Sequence, residues 1–517
     1  MKLFGREYPT QYDAIVIGSG IGGLFCANLL AQAGMKVLVI EQHYVLGGYC
    51  STFRRKKFVF DSATHFYPLL GNPATFPGKL LEKLGIPTQW IKMDPVDKFH
   101  FPDGETFVVP ADLTLYLQKL KERFPHQTAQ IDKFFHEVRE AYLYGLLYYF
   151  KFIPNDKAEK YKSFTVEQKL QEHFQDPRLR AYLIADHSHW GSLPSRTSFL
   201  FDSMLRLAYF LGNYYPKGSS QAFADDLGDA LKRRGGYVLV CTDVERILIE
   251  DGRCTGVAAR ARFGHHRDTV EFRAPVVISN ADLVQTYRRL IGEEHCGREI
   301  IDGLLKLRPS LPCFLAHIAL RNMPREQMEH VEGYYWKSWD ANDLARTFFK
   351  IFFTTLLDPS VAPPGHDILI VQKWNAGDYD KVEDWQAVKA EFERYMAEQL
   401  EGLLPGINEH IVFKLSATAN TSYRYTLNHQ GSMLGWEMSP DQLGSMRPPN
   451  ETPIENLYVV GHWTQPGGGI TPVIVSAQRV AGLVISGRIK PPEVEISEEE
   501  VRAKVNQPPW EKARGSH

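Results

Sequence analysis

Asp13-Ala-Ile-Val-Ile-Gly18-Ser-Gly20-Ile-Gly22-Gly23 decides the reading of this chain. Ala14 to Ile17 is a short apolar run ending in glycine, the pattern of a buried parallel strand. Leu24 to Gln32 then has helical spacing, closed by Gly34 as a natural C-terminal glycine. Lys36-Val-Leu-Val-Ile-Glu41 reads as a second strand. A strand, a helix and a second strand within about thirty residues is the setting that gives G-x-G-x-x-G its meaning as a dinucleotide-binding loop. Gly18 permits the tight turn, Gly20 lets the backbone approach a pyrophosphate, and Gly23 lets helix pack on strand, with Gly22 beside it. The helix N-terminus offers free N–H groups and a positive dipole to phosphates. Glu41 stands 41 − 18 = 23 residues beyond Gly18, where a carboxylate accepts hydrogen bonds from a ribose, and Gln42 follows it. An acid there favours a free 2′-hydroxyl over a 2′-phosphate.

Working outward, the pair Gly47-Gly48 just beyond the ribose carboxylate, together with Phe60-Asp61, suits a long extended ligand and points to FAD rather than NAD. At the far end, Gly461-His462-Trp463-Thr-Gln-Pro-Gly467-Gly468-Gly469-Ile470-Thr471-Pro472 holds a triple glycine. Thr471 reads as the N-cap and Pro472 as the first residue of a helix running to Ser486 and ended by Gly487. Residues without side chains let backbone lie flat against a planar ring, and the helix N-terminus stabilises negative charge on a reduced flavin. Gly461, Gly468, Gly469, Ile470 and Thr471 are therefore expected at the ring. His65 and His462 are the titratable candidates near it, as proton relays, with a structural hydrogen bond as the competing role for each.

The whole chain of 517 residues is 44% apolar, 23% charged and 12% aromatic, which excludes a disordered or collagen-like polypeptide. Its 59 Lys plus Arg against 61 Asp plus Glu leave a net charge of −2, and no pull toward nucleic acid. Six scattered cysteines lack the close pairs of zinc sites and read as reduced thiols. Asp186-His187-Ser-His189 has no second cluster, so no metal is expected. Met1 to Thr10 leaves no room for a signal-peptide apolar core, and no stretch approaches the ~18 apolar residues of a spanning helix. A cytoplasmic protein in peripheral contact with a membrane is the expectation.

The nucleotide-binding part reads as split, with residues 10–110, 215–300 and 450–490 forming a cofactor domain. Residues 111–214 and 301–449 form a substrate or membrane-facing domain, and 491–517 a Glu-rich loose tail. Arg54-Arg55-Lys56-Lys57 reads as a solvated hairpin turn between two strands. Leu113 to Leu211 is mainly helical, and its aromatic stretch Phe134 to Phe152 reads either as the wall of an apolar tunnel, as a membrane-facing surface, or as plain helical core. Val244–Ile249, Gly256–Ala259 and Val270–Phe272 read as a small antiparallel sheet.

Asp13 to Glu41, Gly47-Gly48, Phe60-Asp61, Tyr215-Pro-Lys-Gly218, Val244 to Val257 and Asn456 to Gly482 together resemble the phytoene desaturase, carotenoid isomerase and retinol saturase family of FAD enzymes. The terminal pattern is the most specific part: the Tyr-Val-Val-Gly461 strand, the His/Trp linker, Pro-Gly-Gly-Gly-Ile470 and Ser-Ala-Gln-Arg479. The resemblance implies a noncovalent FAD in an α/β, Rossmann-like domain of glutathione-reductase type, interleaved with a mixed α+β substrate domain. It implies that Val244 contacts the adenosine part through its backbone. It also implies a hydrophobic polyene substrate, a carotenoid or related isoprenoid, taken from a membrane and desaturated, saturated or isomerised, with the electron partner left open. The chain departs from the wider pattern at His462, where an acid often stands, at Tyr49-Cys50, where arginine is common, and at Phe60-Asp61-Ser-Ala-Thr-His65, which lacks the usual glycines. An amine oxidase-like flavoenzyme and a nonenzymatic carotenoid-binding flavoprotein are the competing expectations.

Overall fold

The computed structural model describes residues 2–3, 6–185, 191–263, 268–340, 342, 348–374 and 379–487. The cluster Asp186-His187-Ser-His189 and the tail from Pro491 lie outside the described residues.

Five short strands form a parallel sheet: β1 (Ala14–Ile17), β2 (Val37–Ile40), β3 (Tyr237–Leu239), β4 (Val277–Ser279) and β5 (Leu457–Val459), in the spatial order β3-β2-β1-β4-β5. Segments far apart in sequence thus alternate as neighbours. All four residues of β1 and of β2 are buried, because both faces of the sheet are covered. Ala14, Val16, Val37 and Val39 pack on a helix layer of α1 (Ile21–Gln32), α2 (Ser220–Arg233) and α3 (Ile470–Ser486). Ile15, Ile17, Leu38 and Ile40 face the other way, onto an antiparallel meander of Thr242–Glu250, Arg253–Ala261 and Thr269–Arg273. Pinned mid-helix in α1, Asn28 donates from Nδ2 to the carbonyls of Leu24 and of Leu227 in α2, both at 2.9 Å. Ile17 pairs with Ile40 and stands opposite Ser279, so Gly18, Glu41 and Asn280 leave the sheet at the same carboxyl edge. That edge is where open α/β sheets place their ligands.

A second, seven-stranded sheet runs Ile411–Ala417, Cys313–Arg321, His366–Trp374, Phe348–Phe353, Gly333–Trp336, Asp97–His100 and Thr106–Val109. One face packs on the helices between Leu113 and Phe210, and the other on helix Trp385–Leu403 through Phe392, Met396 and Leu400.

Two expectations are corrected here. Asp97–His100 and Thr106–Val109 were placed with the cofactor domain through residue 110, but they pair in the seven-stranded sheet, where Tyr334 stands opposite Phe99. Their local alternation does not name a partner hundreds of residues away. The last helix begins at Ile470, with Gly469 as its N-cap at φ +106°, so Thr471 lies inside the first turn. Of the three readings of the aromatic stretch, helical core fits Phe134, Phe135, Tyr142, Tyr148 and Tyr149 of helix Thr128–Phe150, which are buried among neighbouring helices, while Tyr144, Phe150 and Phe152 are half-buried. The basic hairpin is as expected: Thr52–Arg55 pairs with Phe58–Asp61, and Arg54 to Lys57 are exposed. The six cysteines are all unpaired.

Candidate cofactor and substrate cavity

A cavity of about 570 Å³ opens at the carboxyl edge of the parallel sheet and reaches the seven-stranded sheet. Gly18, Gly20, Gly22, Glu41, Gln42, Gly47, Gly48, Val244, Gly461, His462, Gly469 and Ile470 all line it. The glycines meet closely. A Cβ on Gly48 would sit 3.3 Å from Cα of Gly20, and one on Gly22 would sit 3.3 Å from Cα of Gly461. The amino-terminal loop and the carboxy-terminal loop therefore touch.

Gly23 stands behind this surface: a Cβ there would lie 2.3 Å from the Gly18 carbonyl oxygen, so glycine is required for helix and loop to pack. Gly468 is likewise behind it, where a Cβ would lie 2.1 Å from the Leu434 carbonyl oxygen. Thr471 is buried and donates its hydroxyl to the Pro68 carbonyl at 3.3 Å.

The residues present fit a dinucleotide. Glu41 accepts from Ser19 N at 2.8 Å and Ser19 Oγ at 2.7 Å through Oε2, and from His43 N at 2.8 Å through Oε1. Three donors fix the carboxylate, and Oε1 keeps one lone pair for a ribose hydroxyl. Helix α1 and helix α3 both begin at cavity-lining glycines, Gly20 and Gly469. Neither has a side-chain cap or an acid in its first turn. Two uncapped helix N-termini at one cavity call for negative charge there.

The two histidine candidates separate. His462 lines the cavity, and burial, reinforced by the Arg447 guanidinium, pushes its imidazole down to about 3. Buried Arg447 itself donates to the His462 carbonyl at 2.7 Å and to the carbonyls of Thr464, Glu437, Gln442 and Trp436, tying the ring loop together. His65 is buried against Phe352, ring centroids 5.0 Å apart, and it is Thr64 that reaches the cavity instead. Asp61 is also buried behind the wall, accepting from Tyr215 Oη at 2.6 Å and Ser220 N at 2.9 Å, and burial raises its carboxyl to about 6.

Three cavity residues escaped the sequence reading. The Asn280 side chain, just beyond β4, lies within 2.8–2.9 Å of where Cβ atoms on Gly20, Gly22 and Gly461 would stand, so it fills the space those glycines leave. Asp282 accepts from Gln285 N and from His429 N, both at 2.8 Å, and burial pushes its carboxyl up to about 7. The run Ile278-Ser-Asn280-Ala-Asp282 at the end of a buried strand was the available signal for both. His317 of strand Cys313–Arg321 reaches the cavity from the opposite sheet. Nothing in its local sequence marks it.

The sequence profile of flavin containing amine oxidoreductases matches residues 21–485. This chain belongs to that family. It is accordingly an FAD enzyme, with the parallel-sheet domain as the Rossmann-like part. Among characterised relatives of this flavoenzyme is prolycopene isomerase 1, chloroplastic, of an Oncidium hybrid cultivar, 27% identical over 92% of this chain and 84% of that one. All-trans-retinol 13,14-reductase of Danio rerio is 27% identical over 89% and 84%. The neurosporene-forming phytoene desaturase of Rhodobacter capsulatus is 27% identical over 91% and 93%. In fold, the flavoenzyme resembles an oxidoreductase from Methanosarcina mazei, with a TM-score of 0.64, 18% identity and coverage of 90% and 99%. It also resembles putrescine oxidase bound to putrescine, with a TM-score of 0.62, 15% identity and coverage of 92% and 99%. Among the described residues, no helix is long and apolar enough to cross a membrane.

Proposed function

We propose that this flavoenzyme acts on a hydrophobic polyene, a carotenoid or related isoprenoid, by desaturation, saturation or cis-trans isomerisation. The observation that carries the reading is the continuity of one cavity from the glycine loops to an apolar wall containing Phe53, Leu315, Ala417, Met433 and Leu434. At its mouth, Tyr44, Leu415 and Tyr425 line the cavity and stay 57%, 38% and 52% exposed. An apolar rim of this kind suits a substrate delivered from a lipid surface. The relatives named for prolycopene, retinol and phytoene point the same way.

Bound FAD supplies hydride exchange at its N5 atom. The protein's part is positioning and dryness. The Gly18–Gly23 loop and the N-terminus of α1 would hold the diphosphate, Glu41 with Gln42 would hold the ribose, and the backbone of Val244 would contact the adenosine part. Gly461, Gly469 and Ile470 would back the ring, and the N-terminus of α3 would stabilise negative charge on it. The apolar wall keeps the polyene against the ring and excludes water. His462 is held neutral by burial at the cavity wall.

The test incubates FAD-loaded enzyme, with oxidised or reduced flavin, with phytoene, prolycopene and all-trans-retinol, and weighs the products. Loss or gain of two hydrogens, or an unchanged mass with an altered absorption spectrum, separates the three outcomes. Peroxide release with amines and no change in any polyene overturns the proposal in favour of an amine oxidase.

A further inference from the structure

His317 is the polar exception on an apolar face. Strand Cys313–Arg321 sends Cys313, Leu315 and Ala319 to the same side as His317, and the alternate residues Phe314, Ala316, Ile318 and Leu320 to the helix behind. Across the sheet, His317 is paired with Ile370 on one neighbour and Leu415 on the other. Phe53 and Phe60 meet its ring edge-on at centroid distances of 5.0 and 5.8 Å.

One nitrogen of this imidazole is committed. Nε2 lies 2.9 Å from the backbone carbonyl oxygen of Asp61, which can only accept, so Nε2 carries the proton. Burial pushes the ring down to about 4, so it stays neutral near pH 7. Nδ1 is then a pure acceptor. Among the described residues nothing donates to it. The tautomer is held from behind, because the Asp61 segment is anchored through its carboxylate by Tyr215 and Ser220. Hydroxyls elsewhere on the wall are already engaged: Ser416 Oγ donates to the Glu393 carboxylate, and Thr421 Oγ1 accepts from Thr418 N at 3.1 Å. A fixed acceptor in apolar surroundings gains most from a ligand that brings its own donor.

We propose that Nδ1 of His317 receives the hydroxyl of the substrate, so that the cavity selects an isoprenoid alcohol over a hydrocarbon polyene of equal length. This rests on the polyene reading and narrows it to a chemical class. His317 is here a specificity residue that touches the substrate.

The experiment measures dissociation constants of all-trans-retinol and its deoxy hydrocarbon, delivered in detergent micelles to FAD-loaded enzyme, by quenching of tryptophan fluorescence. The wild type should bind the alcohol roughly tenfold more tightly, the worth of one hydrogen bond in a dry site. His317→Gln keeps an N–H for the Asp61 carbonyl and leaves no acceptor at the Nδ1 position, its amide oxygen lying at the far end of the side chain, so the preference should fall to about one while hydrocarbon affinity stays within about twofold. His317→Asn retains an amide oxygen near the Nδ1 position and should keep the preference. Equal binding of both ligands by the wild type, a preference surviving His317→Gln, or a preference lost in His317→Asn overturns the anchoring while leaving the polyene reading intact. Binding of neither ligand overturns both. If His317→Gln fails to retain flavin, His317→Asn decides alone.

Discussion

The glycine wall of the cavity is made of loop backbone at the ends of parallel strands, where Gly20, Gly22, Gly48 and Gly461 converge within van der Waals contact. The wall opposite is made of side chains on an antiparallel sheet, with His317 set between Ile370 and Leu415. The first wall leaves little room for added atoms, with a Cβ on Gly48 or Gly22 standing 3.3 Å from facing backbone, because its business is to bring peptide groups against phosphates and a planar ring. The second can vary residue by residue, because its backbone is already satisfied by its own ladder. Cofactor binding should therefore be brittle on one side and substrate choice adjustable on the other.

The largest effect expected from this contrast is at Gly23. A Cβ would stand 2.3 Å from the Gly18 carbonyl oxygen, so Gly23→Val should abolish flavin retention, read as loss of the ratio of flavin to protein absorbance after gel filtration. Retention of full flavin would break the comparison. Next is Phe134, fully buried in the helical core: Phe134→Ala should destabilise by about 3–5 kcal/mol in denaturant titration while leaving polyene affinity of the folded enzyme unchanged. Glu41→Ala should weaken FAD binding roughly 10- to 100-fold, since it removes a charged acceptor and strands Ser19.

The smallest effect is a pH dependence. Burial raises Asp282 from its ordinary value to about 7 in the folded protein, so the folded state binds its proton more tightly than the unfolded chain. The group's stabilising contribution is complete below about pH 4 and is lost as pH rises through about 7. Asp282→Asn should remove that loss, so its melting temperature should gain on the wild type between pH 5 and pH 8 by a degree or two. A gap that narrows with rising pH would contradict the assignment.

What was legible in the sequence follows the same division. The strand, loop and helix around Gly18 to Gly23 are encoded within one short stretch, so their geometry could be read from spacing, as could Glu41 and the glycines before α3. His317 could not: it is 256 residues from the Asp61 carbonyl that fixes its tautomer, on a different sheet, and only tertiary packing brings them together. Asp97–His100 was misplaced for the same reason, since alternation specifies a strand but not its partner. His65 was drawn to the cavity by its nearness to Asp61, yet the chain leaves its strand at Asp61, and Ser62, Ala63 and Thr64 line the cavity while His65 packs on Phe352. Thr471 looked like an N-cap because residue type alone favours it. Gly469, at a φ that side chains avoid, starts the helix earlier.

The account stands on the amino- and carboxy-terminal loops gripping a single FAD. A crystal structure of the FAD-loaded enzyme tests this most directly. The expected result is a diphosphate at the N-terminus of α1, a ribose on Glu41, and the ring lying along Gly461 to Ile470 with its open face toward His317. A flavin whose ring lies away from that loop, or whose diphosphate sits elsewhere than at Gly20 to Gly23, would contradict it.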